Sequence, residues 1–141
     1  MPLPFLMSSE DERNRMVRID PIAKVKAVAA KADLRLIGIG QMDQKAQVHV
    51  DGFVTRDELF EMMRLGAIGE ITGWAYDAKG KLIKGGTNRR LTSIPPQAPA
   101  ETATIAAAIG SAKVPAIKAA LAGRLINGLI TDEATARAIL K

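Results

Sequence analysis

The chain has no cysteine, one histidine and an aromatic content of 4%. Without cysteine there is neither a disulfide framework nor a thiolate-based zinc or redox centre. A lone histidine, His49, excludes a histidine-based metal cluster and is a poor basis for general-base chemistry. So few aromatics argue against a base-stacking platform for nucleic acid. Long apolar runs are missing too, each being broken by Gly, Lys or Arg well short of the ~20 residues a membrane span needs. The first residues, MPLPFLMSSEDERNRM, lack the basic start and apolar core of a signal peptide. A cytoplasmic protein is the resulting expectation. The serines and threonines form no nucleophile elbow, and no repeat or low-complexity tract interrupts the chain.

What is present suits one globular domain: 141 residues, 48% apolar and 25% charged. The net charge of +5 is spread along the chain, with Asn88-Arg89-Arg90 the only local cluster. We read it as a solvated basic surface rather than a nucleic-acid stripe.

Pro2 to Met7 is apolar and proline-punctuated, an expected extended arm, and a helix starts near Ser8-Ser9 with acidic residues in its first turn. Asp20-Pro21 opens a second helix with Ile22, Val25, Val28 and Ala29 on one face. Leu34 to Ile39 reads as a buried strand and Gln41 to Gln47 as a loop. Thr55-Arg56-Asp57-Glu58 is a capping-box pattern, and the helix it starts stops at Gly66. Ile68 to Tyr76 reads as one strand, turning at Asp77-Ala78-Lys79-Gly80 into a partner at Lys81 to Lys84, a β-hairpin. Gly85 to Arg90 and Ile94 to Pro99 read as loops. Thr104 to Leu121 reads as strand, glycine turn and helix, with Pro115 in the first helical turn. A last strand at Leu125 to Ile130 leads to a helix capped by Thr131 or Asp132. Apolar strands alternating with helices predict an α/β fold with a mainly parallel sheet.

Ligands of open α/β sheets bind beyond the carboxyl ends of the strands. Three candidate stretches fall there. Gly40-Gln41 allows close backbone approach, Glu70 interrupts apolar residues with a carboxylate, and Gly110 to Lys113 joins a glycine turn to a helix start. The unpaired N–H groups at such a start suit an anion, and Lys113 adds a full charge. A carboxylate accepts hydrogen bonds from sugar hydroxyls, so Glu70 with Lys113 suits a phosphorylated polyol. The plainer alternatives are a solvated carboxylate, an exposed lysine, or a pairing of the two with each other. Trp74, Tyr76, Met62 and Met63 read as packing residues.

Several ordered motifs resemble a known family. Gly66-Ala67-Ile68-Gly69-Glu70-Ile71 and Tyr76-Asp77-Ala78-Lys79-Gly80 are similar to G-A-V-G-D-I and F-D-x-x-G. Gly110-Ser111-Ala112-Lys113 with Ala116-Ile117-Ala119-Ala120-Leu121 is similar to G-G-x-x-K-x-x-A-I-x-A-A-L. Leu129-Ile130-Thr131-Asp132-Glu133-Ala134-Thr135-Ala136 resembles L-V-T-D-E-x-x-A, and Ala32-Asp33 with Gly38-Ile39-Gly40 fits A-D-x-x-x-x-G-I-G. These are marks of the sugar-binding (effector) domain of SorC/DeoR-type bacterial transcriptional regulators. The resemblance implies a Rossmann-like fold related to sugar-phosphate isomerases and CoA transferases. It also implies a non-enzymatic, cofactor-free role in which a phosphorylated sugar controls DNA binding by a separate helix-turn-helix domain, absent from these residues. Effector contacts at Glu70 and Lys113 follow from the same resemblance. The chain departs from the pattern in carrying Glu70 for the commoner Asp and Ile109 for the first glycine of the turn. The match also covers only the C-terminal part of the family's domain. A sugar-phosphate isomerase-like enzyme and an oligomerisation module are the alternatives. A partial sheet exposes an apolar edge, which with the family's habit implies a homo-oligomer, dimer or tetramer.

Overall fold

The computed structural model describes residues 3–141; Pro2, where the expected arm begins, lies outside the described residues. Helices begin where capping groups stand in the sequence. Ser9 accepts the Glu12 N–H and starts α1 (Glu10–Met16). Pro21 stands in the first turn of α2 (Asp20–Ala30). One helical turn, α3 (Gln47–Val50), follows the expected loop. At α4 (Arg56–Arg64) the capping box is complete: Thr55 Oγ1 accepts the Glu58 N–H at 3.2 Å and the Glu58 carboxylate accepts the Thr55 N–H at 2.7 Å. Pro115 sits in the first turn of α5 (Val114–Ala122), and Asp132 caps α6 (Glu133–Leu140) by accepting the Thr135 N–H at 2.7 Å.

The strands form two sheets. β1 (Leu34–Gly38) and β2 (Gly40–Gln41) are separated only by Ile39, and there the chain leaves one sheet for the other. The antiparallel sheet is β2, β3 (Gly69–Ile71) and β4 (Trp74–Tyr76), with Gly40 opposite Glu70. The parallel sheet runs β1, β5 (Ala103–Ala107), β6 (Gly128–Ile130), with Leu36 opposite Ile105 and Ala106 opposite Leu129. The α/β class with a parallel sheet and a hairpin is as expected. The hairpin is not where it was expected. Ile68 to Tyr76 is no single strand: Thr72 (φ 50°) and Gly73 (φ 89°) turn the chain back on itself. The turn at Asp77 to Gly80 does form, closed by Gly80 N–H to the Asp77 carbonyl at 2.9 Å. Beyond it Lys81 to Lys84 returns only as a bridge of Leu82 to Tyr76. The last strand is likewise shorter than expected, because Leu125 and Ile126 turn into the core before β6 begins.

Helix α5 is the centre of the packing. Ala116, Ile117, Ala119 and Ala120 are all buried; the three alanines let the helix lie close to the hairpin sheet, and Ile117 fills the core. Ile39, Ile71, Tyr76, Ala106, Leu125 and Ile126 complete this core. A second core joins Leu59 and Met62 of α4 to Met42, Ala46, Ala75 and Ile83 on the far side of the hairpin sheet. Asn88, expected in a basic loop, is 4% exposed inside a 3-10 turn (Gly86–Arg90). It accepts the Ala75 N–H and donates to the Ala75 and Ile83 carbonyls, each at 2.9 Å. Arg90 pairs with Glu58 and donates to the Met7 carbonyl, so the apparent basic cluster leaves Arg89 alone exposed. The arm is held down by Met7 N–H to the Arg90 carbonyl at 3.0 Å and a bridge of Leu6 to Leu91.

One expectation about burial fails. β1 is an edge strand whose Leu34 and Leu36 are 50% and 69% exposed. On α2 only Ile22 is buried, while Val25 and Val28 face outward. The apolar pattern is that of covered elements, but nothing among the described residues covers this side. An open apolar groove of about 620 Å³ lies there, between α2, β1, Phe5 and the proline-rich loop at Pro95-Pro96.

Candidate functional site

The parallel strands β1 and β5 point their carboxyl ends toward the same place, and the chain crosses there in three segments. Gly40 follows β1, Glu70 lies opposite it on β3, and the turn after β5 runs Gly110 to Lys113. The structure thus brings together Gly40, Glu70 and Lys113, which the sequence singled out separately.

Glu70 is half-buried, and its side chain folds back over the Gly40 backbone. A Cβ at position 40 would lie 2.1 Å from Glu70 Oε1, so the carboxylate can occupy this position only because residue 40 has no side chain. The other carboxylate oxygen, Oε2, accepts the Gly73 N–H at 2.6 Å. Burial pushes the Glu70 carboxyl above the ordinary carboxylate range. The Gly73 N–H, the Lys113 charge and the Gly40 backbone oppose that push. Lys113 is therefore close enough to be felt, yet Glu70 takes part in no ion pair within 4.0 Å among the described residues. The two charges stand near each other at the carboxyl ends of β1 and β5 without neutralising each other by contact. Beneath them, Tyr76 donates its hydroxyl to the Ala116 carbonyl at 3.1 Å and is fully buried. Burial, and then the Glu70 charge, raise its pKa, so it stays a neutral prop between hairpin and α5.

The Gly110 turn has the geometry of an anion cradle. Gly110 sits at φ 109°, a conformation that disfavours residues with a Cβ. The next three residues form a 3-10 turn (Ser111–Lys113) that runs directly into α5. Lys113 N–H bonds back to the Gly110 carbonyl at 3.0 Å. The N–H groups of Ser111 and Ala112 have no partner among the described residues, and both residues are exposed. The Gly110 N–H is not free: Thr135 Oγ1 accepts it at 2.9 Å. The available donors are therefore two backbone groups, the Ser111 hydroxyl and the Lys113 ammonium.

Sequence reasoning missed Gly73 and Thr135. Gly73 is visible only once the hairpin is known to turn there. Thr135 lies within the TDEATA motif, but its target is 25 residues away. The other candidates are structural. His49 Nδ1 is hydrogen-bonded with the Val54 carbonyl at 3.0 Å, Met62 is core, and Trp74 donates to the Ser93 carbonyl at 3.3 Å. No group of three or more potential metal ligands occurs among the described residues, and no helix there is long and apolar enough to cross a membrane.

Known proteins place this geometry in context. The chain is 35% identical over 144 residues to the transcriptional regulator LsrR of Klebsiella pneumoniae, covering 99% of this chain and 45% of the relative. It is 31% identical over 140 residues to the erythritol catabolism regulatory protein EryD of Brucella abortus, covering 99% and 44%. The crystal structure of full-length sorbitol operon regulator SorC from K. pneumoniae superposes with a TM-score of 0.88 at 26% identity, over all of this chain and 46% of that one. The chain thus spans less than half the length of these relatives. The Sugar-bind family model, which describes a sugar-binding domain, matches residues 1–141. By that match and these relatives, the chain belongs to the sugar-binding domain family of SorC/DeoR-type transcriptional regulators.

Proposed function

We propose that this chain binds a phosphorylated sugar as the effector of a transcriptional regulator, with Glu70 and Lys113 as the two poles of the site. One observation carries the reading: a carboxylate and an ammonium stand near each other at the carboxyl ends of β1 and β5 without forming a contact ion pair among the described residues. In this arrangement the phosphate lies against Lys113 and the free N–H groups of Ser111 and Ala112. The Glu70 carboxylate, aimed by Gly73 and admitted by Gly40, accepts sugar hydroxyls. Phosphate contacts provide affinity, and the buried carboxylate discriminates between hydroxyl patterns, because a buried acceptor left unpaired is costly.

Binding, rather than turnover, is the function that fits. The named relatives are regulators, and among the described residues Glu70 is the one carboxylate assigned to the site, with no second acid or base set opposite it. The DNA-reading element in this scheme belongs to a helix-turn-helix domain outside these 141 residues. The exposed Leu34, Leu36, Val25 and Val28 suit packing against further protein, and a homo-oligomer is part of the proposal. Sedimentation as a clean monomer at all concentrations would contradict that part.

A thermal-shift screen of phosphorylated sugars tests the central claim. A sugar phosphate should raise the melting temperature, the unphosphorylated sugar should do so far less, and Glu70→Ala or Lys113→Ala should abolish the response. No response across a broad panel, or a response unchanged in both variants, refutes it.

A further inference from the structure

We infer that Thr135 is the positioning residue of the anion-binding turn, so that α6 is a working part of the effector site although it presents no ligand group to it. The inference rests on the sugar-phosphate reading above and extends it to a residue distant in sequence.

The turn after β5 has a problem that local sequence does not solve. Gly110 adopts φ 109° and ψ 145°, and no side chain within the turn caps it. Glycine has wide backbone freedom, so an uncapped glycine turn samples many orientations of the N–H groups that follow it. Only a fixed turn presents the Ser111 and Ala112 N–H groups and Lys113 in one direction. The restraint comes from α6. Thr135 Oγ1 accepts the Gly110 N–H at 2.9 Å, and Thr135 is 3% exposed.

Thr135 is itself held. Its own N–H donates to Asp132 Oδ1 at 2.7 Å, which fixes the first turn of α6. The β-branched side chain has few rotamers in a helix, so the hydroxyl is directed with little residual freedom. Asp132, Thr135 and Gly110 thus form a relay from helix cap to turn. By accepting the Gly110 N–H, Thr135 also takes that donor out of the set open to a ligand. A preorganised site loses less ordering entropy on binding, and this is the contribution assigned to Thr135.

The test follows backbone amides of the full chain by NMR while inorganic phosphate is titrated at constant ionic strength. In the wild type, Ser111 and Ala112 amides should shift with saturation, and Lys113→Ala should remove the effect. Thr135→Val keeps the shape but removes the acceptor; phosphate affinity should fall about fivefold. Thr135→Ser keeps the acceptor and should stay within about twofold of wild type. A purely structural role would instead lower the melting temperature while leaving phosphate affinity unchanged. If wild type binds phosphate and Thr135→Val binds equally well, the positioning role is overturned while the sugar-phosphate reading stands. If the wild type shows no shift at Ser111 and Ala112, both are overturned. Should Thr135→Val not fold, hydrogen exchange of the wild type decides. The Gly110 amide must exchange slowly without phosphate and Ser111 and Ala112 rapidly, and phosphate must protect the latter pair. A Gly110 amide exchanging as fast as Ser111 overturns the proposal.

Discussion

Gly40→Ala separates the effector site from the stability of the fold. The backbone at position 40 is not in the left-handed region, so alanine is conformationally acceptable there. Its Cβ, however, would lie 2.1 Å from Glu70 Oε1, 3.0 Å from Cδ and 3.1 Å from Cγ. Restoring an ordinary carbon–oxygen contact of about 3.4 Å requires the carboxylate to retreat by roughly 1.3 Å. A shift of that size breaks the 2.6 Å bond from Gly73 N–H. It also moves the acceptor out of hydrogen-bonding range of a ligand hydroxyl. A hydrogen bond to a charged group is worth about 1.5–3 kcal/mol, so affinity for the sugar phosphate should fall about 10- to 100-fold. The fold should lose no more than about 1.5–3 kcal/mol, the worth of the broken bond from Gly73 N–H, because the displaced group is the far end of a flexible side chain. Gly69→Ala is the contrasting variant. Its Cβ would lie 2.6 Å from both Ala116 Cβ and Tyr76 Oη, groups locked in the core, so it should destabilise the protein more than Gly40→Ala does. Urea denaturation and calorimetric titration of both variants make the comparison. Unchanged affinity in Gly40→Ala refutes the placement of Glu70 as a ligand group.

Three further outcomes are expected. Asn88→Ala removes three hydrogen bonds from a buried site and should cost about 3 kcal/mol in urea unfolding; a loss below about 1 kcal/mol would show that water replaces them. Burial pushes the Glu58 carboxyl up, but bonds from the Thr55 N–H and Arg90 outweigh it and hold the folded pKa below the ordinary 4.5. Its stabilisation is therefore complete above that value and lost as pH falls through the folded pKa, so wild type should lose more stability than Glu58→Gln between pH 6 and pH 3, about the range spanning these values. Glu70 has the opposite sign: its folded pKa is raised, chiefly by burial, so ionising it costs stability as pH rises from 4.5 through the folded value. Glu70→Gln should flatten that decline while weakening sugar-phosphate binding, and a variant with the wild-type pH profile would contradict the burial of the carboxylate.

Much of the candidate site was legible because its parts are chemically unusual where they stand. A carboxylate inside an apolar strand and a lysine at a helix start both run against local preference, and such residues point to function. What could not be read was how the parts are held. Glu70 is aimed by a backbone N–H three residues on, across a turn that Thr72 disguised, since a β-branched residue at positive φ is seldom expected. Asn88 read as surface because it stands beside two arginines, although its amide serves β4 and Ile83 in the interior. A partial sheet was expected to expose an apolar edge, but that Leu34 and Leu36 form it was not legible, as an apolar strand pattern does not say whether a covering element is present.

The sequence by itself determined helix starts near Ser8-Ser9, at Thr55 and at Thr131 or Asp132, because a cap and its target lie within three residues; the structure chose Ser9 and Asp132. It also determined the α/β class and the chemistry available to the site. Tertiary structure alone decided that Gly40, Glu70 and Lys113 meet, that Gly73 aims the carboxylate, and that Thr135 in α6 holds Gly110. The physical reason is range. Caps and periodicity are local interactions written in consecutive residues. The meeting of three loops depends instead on the register of β1 against β5 and on the chain crossing to the second sheet at Ile39, which many distant contacts fix together.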